Sequence, residues 1–193
     1  MKERKKESIL MTSLRLFSKN GFHDTTIPLI AKEMKMSVGN IYNYFPSKNN
    51  LAKCAIKFAS SILASTLKKI NKKDISTKEK IECFVESYYN IIEISPEIIE
   101  YFLRVYLSNR SLFQNENDGG FELAKDFIEE VEKLVENGIK KRELRKQDFF
   151  VSFSVFIGTL GGMTFLNGEN VLDKKPICYS KEISNSIYNA LKI

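Results

Sequence analysis

Histidine is almost missing from this chain: His23 is the only one. That leaves no basis for a Ser/His/Asp arrangement or a histidine-built metal centre, so no catalytic residue and no metal ligand is assigned. Cysteine is scarce too. Cys54, Cys83 and Cys178 lie far apart with no C-x-x-C pair, which predicts reduced, buried thiols in a cytoplasmic protein and not a disulfide framework. Glycine forms neither a G-x-G-x-x-G turn after a strand nor a G-x-x-x-x-G-K-[ST] loop, so no cofactor is expected. No alternation of apolar and polar residues runs past four positions, and no internal repeat is found. The chain reads as all-α, with about nine helices, and not as an enzyme.

Uncharged, mostly apolar runs near spanning length come down to one, "FFVSFSVFIGTLGGMTFL" from Phe149 to Leu166. It approaches the length of a membrane span. Three glycines, two serines, two threonines and no flanking belt of Trp or Tyr favour a helix buried between protein surfaces. No membrane partner is expected, although a membrane-associated helical protein stands as one rival reading. The basic N-terminus turns amphipathic, so no signal peptide is expected either.

Acidic residues are few at the start of the chain. Residues 1–73 carry 15 Lys/Arg against 4 Asp/Glu, or +11, and residues 74–193 carry 15 against 20, or −5. A basic head joined to a mildly acidic body suits a polyanion partner.

What the head does contain is two short helical patterns joined by a tight turn, in "TTIPLIAKEMKMSVGNIYNYFPSKNNL" from Thr25 to Leu51. Thr26 caps the first, with Pro28 in its opening turn. Ser37 caps the second, expected over Val38–Tyr44, and Ser47 caps a third, longer helix. Ile30, Ala31, Met34, Ile41 and Phe45 face inward. Gly39, Asn40, Tyr42, Asn43 and Tyr44 face outward. Such a helix-turn-helix suits double-stranded DNA, with amides against base edges and hydroxyls against phosphates. His23 sits beside it, where a surface or phosphate-near position is expected.

Preceded by "ILMTSLRLFSKNGFHDTT", this stretch resembles the DNA-binding region of the TetR/AcrR family of bacterial transcription regulators. The matching elements are Leu16-Phe17, Gly21, Thr26, Ile30-Ala31, Ser37, Gly39, Tyr42, Phe45, Ser47-Lys48 and Leu51. Two residues depart from the family pattern: Lys35 stands in the inter-helix turn in place of glycine, and Ser13 in place of alanine. A lysine with positive φ would cost roughly 1 kcal/mol there.

The resemblance implies an N-terminal three-helix DNA-binding domain, residues 1–47, and a helical ligand-binding and dimerisation domain, residues 48–193. A helix from about 48 to 70 would connect them. It implies a ligand-responsive regulator, most simply a repressor, that binds a palindromic operator as a homodimer. On this reading Val38, Gly39, Asn40 and Asn43 meet base edges, Ser37 caps, and Thr26, Tyr42, Tyr44 and Lys48 meet phosphates.

In the body, Ser76-Thr77-Lys78-Glu79 opens a helix as a capping box, and Gly138 is expected to stop a later one that starts near Phe121. Phe84, Tyr88, Tyr101, Phe102, Tyr106, Phe127, Phe153 and Phe156, with Arg104 as a polar anchor, are candidates to line a cavity for a small hydrophobic or aromatic effector. Any one of the aromatics is more often plain core, and Arg104 more often an ion-pair partner of Glu100. The dimer interface implied by the resemblance takes in Phe153, Ile157, Leu160, Gly161, Ile183, Ile187 and Leu191. The rival without DNA recognition is an all-α small-molecule-binding protein.

Overall fold

The computed structural model describes residues 2–101, 109 and 119–193. These hold ten α-helices: α1 Lys2–Asp24, α2 Ile27–Glu33, α3 Val38–Tyr42, α4 Lys48–Asn71, α5 Thr77–Ile94, α6 Glu97–Glu100, α7 Gly120–Leu123, α8 Lys125–Lys140, α9 Phe149–Gly168 and α10 Ser180–Leu191. The only strand-like pairing among the described residues is an isolated bridge between Leu144 and Lys192. The chain divides into two compact units, Met1–Ser61 with the described part of Pro96–Ala124, and Ile62–Ser95 with Lys125–Ile193. The division falls inside α4.

In the first unit, α1 is interrupted at Gly21, whose φ of 82° and ψ of 168° are not helical. A side chain at that φ would be strained, so glycine is the residue that lets the chain turn there. Thr25 locks the turn: its buried hydroxyl donates to the carbonyls of Gly21 at 2.8 Å and Leu16 at 3.1 Å. The core gathers Ile9, Leu14, Phe17, Ile30, Ile41, Phe45, Leu51 and Ile56. The unexpected Ser13 is also buried and bonds the Ile9 carbonyl at 2.7 Å, so its hydroxyl costs little in an apolar site. α6 brings Tyr101 into this core. Its ring lies 5.7 Å from Phe17, and its hydroxyl donates to the Ala52 carbonyl at 3.1 Å.

The second unit is built on α5, with its capping box formed as expected. Glu79 accepts from the Ser76 amide at 2.9 Å, and Ser76 Oγ accepts from the Glu79 amide at 3.2 Å. α10 packs against α5 and α9, and α8 against α5 and α9. Two expectations fail here. Gly138 does not end a helix: α7 and α8 are separated at Ala124, and α8 runs through Gly138 to Lys140. A Cβ on Gly138 would lie 2.7 Å from the Leu144 side chain and 3.1 Å from Thr77 Cγ2, so this glycine serves close packing. The thiols are not buried either. Cys54 and Cys83 are half-buried and Cys178 is exposed.

α9 is the one helix among the described residues long and apolar enough to cross a membrane, by length and composition alone. Ser152, Phe156, Leu160 and Thr164 make its buried side. Phe150, Val151, Gly158, Gly162 and Phe165 make an exposed side, with Phe165 60% accessible.

Candidate nucleic-acid interface and effector-binding residues

The recognition surface starts from local capping. Thr26 Oγ1 accepts from the Leu29 amide at 3.2 Å, Ser37 Oγ from the Asn40 amide at 3.3 Å and Ser47 Oγ from the Asn50 amide at 3.1 Å. Each hydroxyl is fixed as an acceptor at a helix start while its own proton stays available to a phosphate oxygen. Ile30, Ile41 and Phe45 are fully buried and hold α2, α3 and the start of α4 together.

That leaves Ser37, Val38, Gly39, Asn40, Tyr42 and Asn43 exposed along α3 and its ends, with Tyr44 half-buried against Phe45. The helix is shorter than expected, ending at Tyr42 with Asn43 as its C-cap. A Cβ on Gly39 would meet nothing within 4 Å. Nothing among the described residues therefore demands glycine at 39 on steric grounds.

Lys48 is placed otherwise than expected. Its Nζ donates to the carbonyls of Phe22 at 2.9 Å and His23 at 3.2 Å, and lies 4.3 Å from the centre of the Phe22 ring. A cation held by two carbonyls and a ring face clamps α4 to the end of α1, and its third N–H is left for another acceptor.

Among the aromatic candidates, four come together. Phe84 lies 6.5 Å from Tyr88, 5.9 Å from Phe127 and 5.5 Å from Phe156, ring centre to ring centre. Tyr88 shares a 2.8 Å hydrogen bond with Thr164. Phe153 is half-buried and packs on Phe149 instead. Tyr101 belongs to the core of the first unit and is removed from the set. Phe102, Arg104 and Tyr106 lie outside the described residues.

Sequence reasoning missed Tyr89. It is fully buried, and its hydroxyl has no hydrogen-bond partner among the described residues. Burial, with the neighbouring Tyr88 adding to it, pushes its phenol well above the usual tyrosine range. An unpartnered buried hydroxyl is costly and calls for an explanation; no pattern of apolar spacing could have flagged it.

Of the expected interface residues, Leu160, Ile187 and Leu191 are buried within the chain itself. They pack the α5, α9 and α10 core and are not available to a second chain. Phe153, Ile157, Gly161 and Ile183 are half-buried.

Residues 9–54 match the model of the family described as bacterial regulatory proteins, tetR family. Over those residues the chain is similar to the DNA-binding region of TetR-type regulators. A TetR-type head accounts for the capped helices, the neutral α3 and the burial of Ile30, Ile41 and Phe45 together. An uncharacterised HTH-type transcriptional regulator of Bacillus subtilis, YerO, is 32% identical over 130 residues, which is 58% of this chain and 45% of that protein. The chain thus spans less than half the length of that relative. The fold is shared with the transcriptional regulator FadR from Bacillus subtilis, solved in complex with stearoyl-CoA, at a TM-score of 0.81 and 19% identity, covering 93% of this chain and 96% of that one. It is shared equally with a TetR-family regulator from Marinobacter aquaeolei, at a TM-score of 0.80 and 15% identity, covering 100% and 99%.

Proposed function

We propose that this protein is a cytoplasmic, ligand-responsive transcription regulator, acting as a repressor, that binds a palindromic operator as a homodimer. The observation that carries the DNA reading is α3: a capped, uncharged helix presenting Gly39, Asn40 and Asn43 to solvent within a basic first third of the chain, net charge +11 over residues 1–73. Amide side chains can make paired hydrogen bonds to an adenine edge, and the charge supplies sequence-independent attraction. Val38, Gly39, Asn40 and Asn43 are assigned to base edges, and Thr26, Tyr42 and Tyr44 to phosphates.

Residues 1–47 form the reading domain and 48–193 the ligand-binding and dimerisation domain, with α4 as connector. Dimerisation is assigned to the exposed side of α9, because an apolar stripe with open glycines at 158 and 162 suits close packing of a second copy. The effector is hydrophobic or aromatic, and it carries an acceptor for the Tyr89 hydroxyl. FadR's stearoyl-CoA makes a long acyl chain the first compound to test. Such an effector releases the operator only by binding the DNA-incompetent state more tightly than the competent one.

The test is selection from a random duplex pool followed by titration at several salt concentrations. A palindromic consensus with half-sites roughly 34–36 Å apart, or a multiple of that, is the expected result. Binding with no preference over bulk DNA at any salt concentration overturns it.

A further inference from the structure

The turn between α2 and α3 carries its own cation in a costly place. The Met36 amide donates to the Ala31 carbonyl at 2.8 Å and the Lys35 amide to that of Lys32 at 3.1 Å. These are the paired bonds of a Schellman stop, and they put Lys35 in its left-handed position at φ 53°. Glycine is the unstrained residue at such a stop.

Lys35 is exposed, and among the described residues no hydrogen bond or ion pair engages its ammonium. Of the other cations nearby, Lys32 is exposed too, but it lies within α2 and not in the turn that leads to α3. Arg15 is bonded to Glu33 at 2.6 Å, Lys48 is held by the carbonyls of Phe22 and His23, and α3 itself has no charged residue. A neutral recognition helix needs phosphate contacts from its flanks to hold its register on a duplex. Lys35 stands two residues ahead of its Ser37 cap.

We propose that Lys35 contacts a DNA phosphate beside α3. The contribution of its ammonium then enters only in the DNA-bound state, whereas its backbone strain is present with or without DNA. The inference rests on the DNA-binding reading above and adds a residue that the family pattern does not supply, since that pattern has glycine here.

The experiment compares the wild type with Lys35→Gly, Lys35→Asn and Lys35→Arg, and with Lys57→Gln, which removes an exposed charge from α4 as a control for net charge. Asparagine tolerates left-handed backbone but is neutral. The probes are a duplex selected by the wild type from a random pool and a random-sequence duplex. The glycine and asparagine variants should melt higher than the wild type without DNA. Both should lose affinity for both duplexes by a similar factor, and the slope of log K against log salt should become shallower by about 0.9, the share of one phosphate. Lys35→Arg should keep the wild-type slope. An unchanged slope in the asparagine variant, or an equal loss in Lys57→Gln, overturns the assignment while the DNA reading stands. If the wild type binds neither duplex, both fall.

Discussion

At the scale of single residues, the head separates positions that read sequence from positions that hold shape. Asn40 is exposed on α3, and Asn40→Ala should change preference at one base position by about 1–3 kcal/mol while leaving the others alone. Titrations against a set of single-base operator variants check this. Lys48→Ala should behave differently from what the family pattern implies. Loss of two carbonyl bonds and a ring contact should cost about 1–2 kcal/mol of stability, a fall of several degrees in Tm, with the salt slope of DNA binding unchanged. A flattened slope at unchanged Tm would return the residue to the phosphates. Tyr89→Phe removes a buried hydroxyl that has no partner among the described residues. The effector-free Tm should therefore hold or rise, while the concentration of effector needed for release rises about tenfold. A lower effector-free Tm would mean that the hydroxyl has a structural partner.

Helices taken one at a time show where local sequence suffices and where it does not. Thr26, Ser37, Ser47 and Ser76 were all legible as starts, because a cap and the amide it bonds lie three residues apart. Gly138 was misread for the opposite reason: whether a glycine stops a helix or admits a neighbour depends on Leu144 and Thr77, which meet it only in the folded chain. Tyr101 illustrates the same limit, since no spacing rule says which core an aromatic joins. The start of α5 carries a pH signature. The bond from the Thr77 amide lowers the Glu143 carboxyl, against an opposing effect of burial, and the bonds from Ser76 lower Glu79. Carboxyls held below their unfolded values stabilise the fold at neutral pH, and that contribution is lost as pH falls below about 4.3 and through the folded values. Glu143→Gln should thus lower stability by about 1 kcal/mol at pH 7 and make little difference near pH 3, as read from denaturant melts at the two pH values. Equal losses at both would show that its charge is not what matters.

For the molecule as a whole, the all-α class and the head were readable because both rest on helical periodicity and a dense local motif. The choice of interface residues was not, since Leu160, Ile187 and Leu191 are apolar at the right spacing yet are spent on the chain's own core. The exposed side of α9 remains for a second copy. Phe150→Ser with Phe165→Ser, both at accessible positions, should leave the monomer folded but shift sedimentation from dimer to monomer and reduce operator affinity to that of a half-site. A double variant that stays dimeric moves the interface elsewhere. The Lys48 clamp also bears on how a signal could reach the reading helix. With the first turn of α4 fastened to the last of α1, force applied along α4 has no loose joint to dissipate in. The head should therefore keep its internal geometry, with α3 fixed against α1 and the start of α4 and not tilting within it.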